Sequence, residues 1–128
     1  MLKPLLWIIA ASQLILAALT LFTPLAFFGW MGLSVPAPDN GYMIGMLGAR
    51  FLAYGIGMVM LARAASPSRF WIGNMALIQA VDLGLALVYF GLGSVPLAVV
   101  AVPATNAALF CAGLLWCLRD RGLRDARA

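Results

Sequence analysis

The chain of 128 residues contains no histidine and no glutamate, and only 9% of its residues are charged. Without histidine there is no ligand for histidine-bound haem or for the usual zinc and copper sites, and no Ser-His-Asp triad. Without glutamate there is no carboxylate set for a di-iron helical bundle. The composition therefore predicts no metal and no other cofactor, and it favours a protein that is not an enzyme.

Cysteine is also scarce, since Cys111 and Cys117 are the only two in the chain. Six positions apart on one helix, they would point about 120° away from each other and lie ~9 Å apart along the axis. That separation excludes a disulfide between them and a C-x-x-C redox pair. We expect both to pack as small apolar side chains.

Apolar residues are abundant: they make up 65% of the chain, and the mean hydropathy is +1.04. Soluble domains usually contain about 45–50% apolar residues and about a quarter charged ones. The formal net charge of +4 does not indicate a nucleic-acid surface, because all basic residues except Arg50 stand at the ends of apolar segments and not in a patch with aromatics. The composition predicts a membrane protein that contacts lipids and no nucleic acid.

Four apolar segments are each long enough to cross a hydrocarbon core of ~30 Å, which takes about 20 helical residues. They cover residues 4–28, 41–64, 70–92 and 95–118. Strands of a barrel would be ~10 residues long and would alternate, so these segments predict helices. We expect one all-α transmembrane domain over residues 1–128, built as a four-helix bundle. The first segment is too long for a signal peptide and lacks a small-x-small cleavage site, so we expect it to remain as a helix.

Lysine and arginine mark one side of the predicted bundle. Lys3 precedes the first segment, Arg63 and Arg69 flank the second connection, and arginines at positions 119, 121, 124 and 127 follow the last segment. The first and third connections contain neither residue type, and Asp39 is their only charge. The positive-inside rule therefore places both termini and the middle connection in the cytoplasm.

A set of polar side chains interrupts the apolar segments and is predicted to form one intramembrane network. Its members are Gln13, Arg50, Tyr54, Gln79, Asp82 and Asn106. Arg50, Asp82 and Asn106 lie ~13–16 Å deep, close to the bilayer centre, at 1.5 Å rise per residue.

A charge at that depth costs at least ~2.5–3.5 kcal/mol on insertion scales, so we expect Arg50 and Asp82 to pair. Asn106 or Gln79 would complete the hydrogen bonds of the pair. Two interpretations remain open. The pair is either a structural device that fixes helix register or part of a proton or ligand site.

The second segment also carries a stripe of small residues. The stripe consists of Gly41, Gly45, Gly48, Gly55 and Ala62. Small side chains let helix backbones approach closely in lipid, and Arg50 lies almost opposite the stripe at ~100° per residue. Either the stripe packs inside the chain's own bundle, or it faces another polypeptide.

The stretch GARFLAYGIGMVMLARAASPSR, at residues 48–69, resembles the DoxX-like small bacterial membrane proteins. Four short spans, a proline-rich first outer loop and a polar third helix add to the likeness, whose most specific part is the pattern from Arg50 to Gly55. The resemblance implies a similar fold in the bacterial inner membrane. In that superfamily some members are accessory subunits of quinone-linked oxidoreductases and others act as assembly helpers. The resemblance carries over no catalytic residue.

Three functions are compatible with these features. The features favour a non-catalytic accessory or assembly subunit of a larger membrane complex, with other membrane subunits or further copies of itself as partners. The second is a small homo-oligomeric transporter or channel that uses Asp82 and Arg50 at mid-membrane. Against it, a pairing of Asp82 with Arg50 suits a structural role better than that of a proton carrier. The third is an enzyme acting on a lipid or quinone, which would have only Asp82, Tyr54 and Arg50 to work with.

The predicted topology can be tested by labelling. A cysteine at Ser66 should react only from the cytoplasmic side, and one at Asp39 only from outside, in a background where Cys111 and Cys117 are alanine. An impermeant maleimide, applied to intact cells and to inverted vesicles, measures this difference. Outside labelling of Ser66→Cys would contradict the topology, because three basic clusters would then lie on the wrong side.

Overall fold

The computed structural model describes residues 1–37 and 40–125, and it describes side chains for residues 1–37 and 40–120. This part of the chain contains five helices and no strand. The helices are α1 (Leu2–Phe22), α2 (Pro24–Trp30), α3 (Gly41–Arg63), α4 (Arg69–Gly91) and α5 (Leu97–Asp125). Asp39 and Arg127, which the predicted topology uses, lie outside the described residues, as do the side chains of residues 121 and 124.

Four of these helices are long and apolar enough to cross a membrane. The candidate spans are Leu2–Phe22, Gly41–Arg63, Arg69–Gly91 and Leu97–Asp120, and their mean hydropathy lies between 1.5 and 2.2. The all-helical class and the four span-length helices are therefore confirmed. The closed bundle and the cytoplasmic location of the termini stay predictions.

The first predicted segment, at residues 4–28, is divided in the structure. Helix α1 ends at Phe22 and α2 begins at Pro24. A proline ring disfavours helical geometry at the preceding residue, and Thr23 accordingly has φ −135° and ψ 49°. Proline suits the first position of a helix, where its missing N–H needs no partner. Hydropathy does not reveal this break because the apolar composition continues across it.

Helices α2 and α4 are each followed, two residues after their last residue, by a glycine with positive φ. Gly32 has φ +71° and Gly93 has φ +69°. After α4, the N–H of Gly93 donates to the carbonyl of Phe90 at 2.9 Å, and the N–H of Ser94 donates to the carbonyl of Tyr89 at 3.0 Å. This Schellman motif, which α2 repeats, gives hydrogen bonds to carbonyls that a helix end leaves without partners.

The chain divides into two compact units. One comprises Leu6–Met60, and the other comprises Met1–Leu5 together with Leu61–Ala128. In the second unit α4 packs on α5, and the start of α1 packs on the C-terminal half of α5. A β-carbon built on Gly113 of α5 would lie 2.9 Å from Cδ2 of Leu5.

In the Leu6–Met60 unit, α1 and α3 come close at two glycines. A β-carbon on Gly48 would lie 2.7 Å from Cγ of Leu21 and 2.9 Å from Oγ1 of Thr20. A β-carbon on Gly55 would lie 2.7 Å from Cγ of Leu14 and 3.2 Å from the backbone nitrogen of Leu14. The two helices are therefore antiparallel, with steps of seven residues on each, and such steps keep the same two faces together over two turns.

The glycines of the stripe therefore have different surroundings. Gly48 and Gly55 contact α1 of the same chain, whereas among the described residues no atom beyond the adjoining part of α3 lies within 4 Å of a β-carbon on Gly41 or Gly45. The antiparallel register explains the difference, because α1 ends at Phe22 before it reaches the level of Gly45 and Gly41. Ala62, the last member of the stripe, is buried.

This division predicts opposite effects for two Gly→Ala substitutions in α3. Alanine favours a helix over glycine by ~1 kcal/mol, so Gly45→Ala should leave the protein as stable as wild type or more stable. Gly55→Ala should lower stability by about 1–2 kcal/mol, because the new methyl group meets the Leu14 backbone, and overpacking outweighs the helix propensity. Thermal unfolding of the purified protein in detergent measures both effects. Equal stability of the two variants would contradict the close approach at Gly55.

Candidate functional site

The predicted polar network is distributed over four helices and over both units. Gln13 is on α1, Arg50 and Tyr54 are on α3, Gln79 and Asp82 are on α4, and Asn106 is on α5. Gln13, Arg50 and Tyr54 belong to the Leu6–Met60 unit, and the other three belong to the second unit.

In the Leu6–Met60 unit, two of the three polar residues are buried and one is exposed. Tyr54 is 4% exposed and Gln13 is 6% exposed, whereas Arg50, one turn from Tyr54 on α3, is exposed. The register set by Gly48 and Gly55 puts Gln13 ~3 Å along the axis from Tyr54 and ~9 Å from Arg50. Gln13 and Tyr54 are therefore close in level, while Arg50 lies one turn earlier on α3 and farther from Gln13 along the axis.

In the second unit, burial decreases from Gln79 through Asp82 to Asn106. Gln79 is 3% exposed, Asp82 is half-buried and lies three residues further along α4, and Asn106 is exposed. The buried face of α5 carries Val100, Ala107 and Leu114 at steps of seven, so Asn106 stands about 100° away from it. Of the two amides predicted to support the ion pair, Gln79 is buried near Asp82 on the same helix, and Asn106 is at the surface.

Most polar side chains of the predicted network have interaction partners within the protein. Arg50, Tyr54, Gln79 and Asp82 each take part in a hydrogen bond, an ion pair, a ring contact or another electrostatic interaction. Within the described residues, no buried side-chain nitrogen or oxygen lacks a hydrogen-bond partner. Such satisfaction is expected of buried polar groups, because an unpaired one is costly in a low dielectric. The pairing of Arg50 with Asp82 stays a prediction.

Thr20 is a buried polar residue that the sequence pattern did not reveal. It is 1% exposed, and its hydroxyl donates to the carbonyls of Leu16 at 2.7 Å and Ala17 at 3.2 Å. A threonine that bonds to its own helix needs no partner from elsewhere, so neither sequence spacing nor charge points to it. Its hydroxyl oxygen lies 2.9 Å from the point where a β-carbon on Gly48 would stand.

A cavity of about 420 Å³ in the second unit was also not predicted. It is lined by residues 1–4 at the start of α1 and by Trp116, Cys117 and Asp120 of α5. Lys3 and Asp120 therefore line one space although they stand at opposite ends of the sequence. Their sequence separation conceals this proximity, which arises from the packing of the start of α1 on α5.

Within residues 1–37 and 40–125, no three cysteine or carboxylate side chains form a group able to hold a metal ion. Cys111 and Cys117 are both free thiols. A comparison of the chain with models of protein families, with curated proteins and with solved structures finds no match. The likeness to DoxX-like proteins therefore stays a hypothesis drawn from residues 48–69.

The predicted pair can be tested by removing one partner and then both. Arg50→Leu or Asp82→Leu alone should reduce the amount of folded protein, because the remaining charge would stand at mid-span without its partner, at a cost of at least ~2.5–3.5 kcal/mol on insertion scales. The double substitution should recover much of the loss if the pair is structural. If the pair is a working site, the double variant should fold but lose activity. The monodisperse peak in size-exclusion chromatography of membrane extracts measures folded protein.

Val81→Leu serves as the matched control, since Val81 is 51% exposed and directly precedes Asp82. It should leave the peak unchanged. Single variants that are as abundant as wild type would contradict the pairing.

Proposed function

We propose that the chain is a non-catalytic accessory or assembly subunit of a larger membrane complex in the bacterial inner membrane. The observation that supports this role is the exposure of two polar side chains in the middle of candidate spans. Arg50 is the tenth residue of α3 and Asn106 is the tenth residue of α5, so each lies ~14 Å from the start of its helix. Both are at the surface of the chain.

Contact with lipid hydrocarbon is unfavourable for these two side chains. Arginine at the centre of a span costs ~2.5–3.5 kcal/mol on insertion scales, and asparagine in membranes forms hydrogen bonds across helix interfaces. A guanidinium has five N–H donors, so the interaction that Arg50 makes within the protein is compatible with further bonds to a neighbouring subunit. A second polypeptide with polar side chains at this level would supply acceptors that lipid lacks.

The short connections between the spans also favour an accessory role. The described helices are separated by residues 31–40, 64–68 and 92–96, which are too few to form a soluble domain. Between its termini the chain therefore offers a partner mainly the surfaces of its helices. The resemblance of residues 48–69 to DoxX-like proteins suggests a quinone-linked or other energy-converting complex as the partner.

A homo-oligomeric transporter or channel is the second candidate function. The observation in its favour is Asp82, a half-buried carboxylate in the middle of α4 with the buried amide of Gln79 one turn away. Ionisable groups at this depth are typical of ion and proton pathways. This alternative requires further copies of the chain, whereas the accessory role requires a different subunit.

Photo-crosslinking in cells distinguishes the two functions. A photoreactive amino acid at Leu109, which is exposed on the same side of α5 as Asn106, should capture a membrane protein larger than the 13.6 kDa chain. Asn106→Leu should weaken this capture, because the interhelical hydrogen bond is lost. The control position is Leu77, an exposed residue of α4 that is separate from both polar side chains.

Each outcome of this experiment has a defined meaning. A product of twice the chain mass would favour the homo-oligomer. No protein adduct from Leu109 beyond the level at Leu77 would contradict the accessory role.

A further inference from the structure

The cavity of about 420 Å³ in the second unit lies at the ends of two candidate spans. Lys3 is the second residue of the span Leu2–Phe22, and Asp120 is the last residue of the span Leu97–Asp120. The ends of a span mark the level where hydrocarbon gives way to lipid headgroups. A membrane lipid that enters this cavity therefore places its headgroup there, while its acyl chains stay in the hydrocarbon.

The rim of the cavity has the character of a membrane interface. Trp116 lies one turn before Asp120 on α5 and is 65% exposed. Tryptophan is enriched at the headgroup level, because its ring is apolar and its N–H is polar. Cys117 and Leu2, which also line the cavity, are buried. The lining thus combines buried apolar side chains with exposed polar and aromatic ones.

The cavity lining includes side-chain charges of both signs, on Lys3 and Asp120. Lys3 supplies an ammonium with three N–H donors, which suits a phosphate oxygen. Asp120 supplies a carboxylate that only accepts hydrogen bonds, which suits an ammonium. Asp120 already takes part in an interaction within the protein, but a carboxylate has about four acceptor positions and accommodates more than one donor.

We infer that this cavity binds the phosphoethanolamine headgroup of a membrane phospholipid. The phosphate lies against Lys3, the ammonium of the headgroup donates to Asp120, and the glycerol end passes Trp116 toward the hydrocarbon. The volume lies within the range of 300–1,000 Å³ that is usual for small-molecule sites. This site is separate from the mid-span polar residues, and its occupancy does not depend on the proposed accessory function.

The charge arrangement predicts a ranking among lipids with identical acyl chains. Phosphatidylethanolamine carries both the phosphate and an ammonium with N–H donors. Phosphatidylcholine has a quaternary ammonium without donors, and phosphatidylglycerol has no cation. We expect phosphatidylethanolamine to bind about two- to fivefold more tightly than either, which is the size of an exposed ion-pair contribution. Native mass spectrometry of the full chain with equal amounts of the three lipids measures the ratio of bound species.

Single substitutions at exposed residues of the cavity test whether the lipid preference arises there. Asp120→Asn should remove the preference for ethanolamine over choline and leave binding of the phosphate. Lys3→Gln should reduce binding of all three lipids. Arg119→Gln is the matched control, since Arg119 is an exposed cation next to Asp120 that does not line the cavity. It should change neither the amount of bound lipid nor the ranking.

Three results would overturn the inference. One is equal binding of the three lipids to the wild-type protein. This measurement uses no variant, so it does not depend on whether a variant folds. Another is a preference for ethanolamine that persists in Asp120→Asn. The third is a loss of binding in Arg119→Gln as large as that in Lys3→Gln, which would indicate general attraction to basic residues.

A water-soluble ligand is tested separately. Phosphoethanolamine without acyl chains should compete weakly, because the membrane holds the lipid at the level of the cavity. If the soluble compound bound as tightly as the lipid, a membrane lipid would be the wrong occupant.

Discussion

Hydrocarbon offers no hydrogen bonds, and that single constraint explains most of the local structure of this chain. Each span is a helix because a helix bonds its own backbone. Where a helix ends, the chain supplies partners locally, as Gly93 and Ser94 do after α4. Threonine obeys the same requirement: the hydroxyls of Thr20 and Thr23 both donate to carbonyls of α1. Polar groups that cannot be satisfied within their own helix are the ones that need explanation by tertiary or intermolecular contacts.

The close approach of α1 and α3 decides which way the charge on α3 points. Gly48 and Gly55 face α1, because only a residue without a β-carbon allows Leu21 and Leu14 to come so near. Arg50 is about 200° around the helix from Gly48 and about 140° from Gly55. The packing that buries the two glycines therefore turns Arg50 away from α1, in agreement with its exposure. The contacts of two glycines with α1 thus set the direction of the Arg50 guanidinium.

Much of the fold could be predicted from the sequence, and the exceptions have physical causes. The four span-length helices follow from apolar length alone, and α3 and α4 begin within one residue of the predicted positions. The break at Thr23 was missed because hydropathy averages over Pro24, although proline itself was the available signal. The different surroundings of Gly45 and Gly48 could not be foreseen, because they depend on where α1 ends relative to α3.

For the polar residues, the depth along each helix could be predicted from the sequence better than the orientation around the helix axis. Depth along a helix can be counted, so the mid-span positions of Arg50 and Asn106 follow directly. The direction in which a side chain points around its helix depends on tertiary packing. Counting residues along the helix therefore does not predict the burial of Gln79 or the exposure of Asn106.

Depth also separates the two kinds of contact proposed for the protein. In the middle of a span only another protein supplies polar partners, so exposed groups such as Arg50 and Asn106 favour a neighbouring polypeptide. At the ends of the spans phospholipid headgroups supply both charges at high local concentration, so Lys3 and Asp120 favour a lipid. A subunit that binds protein at mid-depth and lipid at its rim needs no soluble domain, because each level of the bilayer provides a different ligand chemistry.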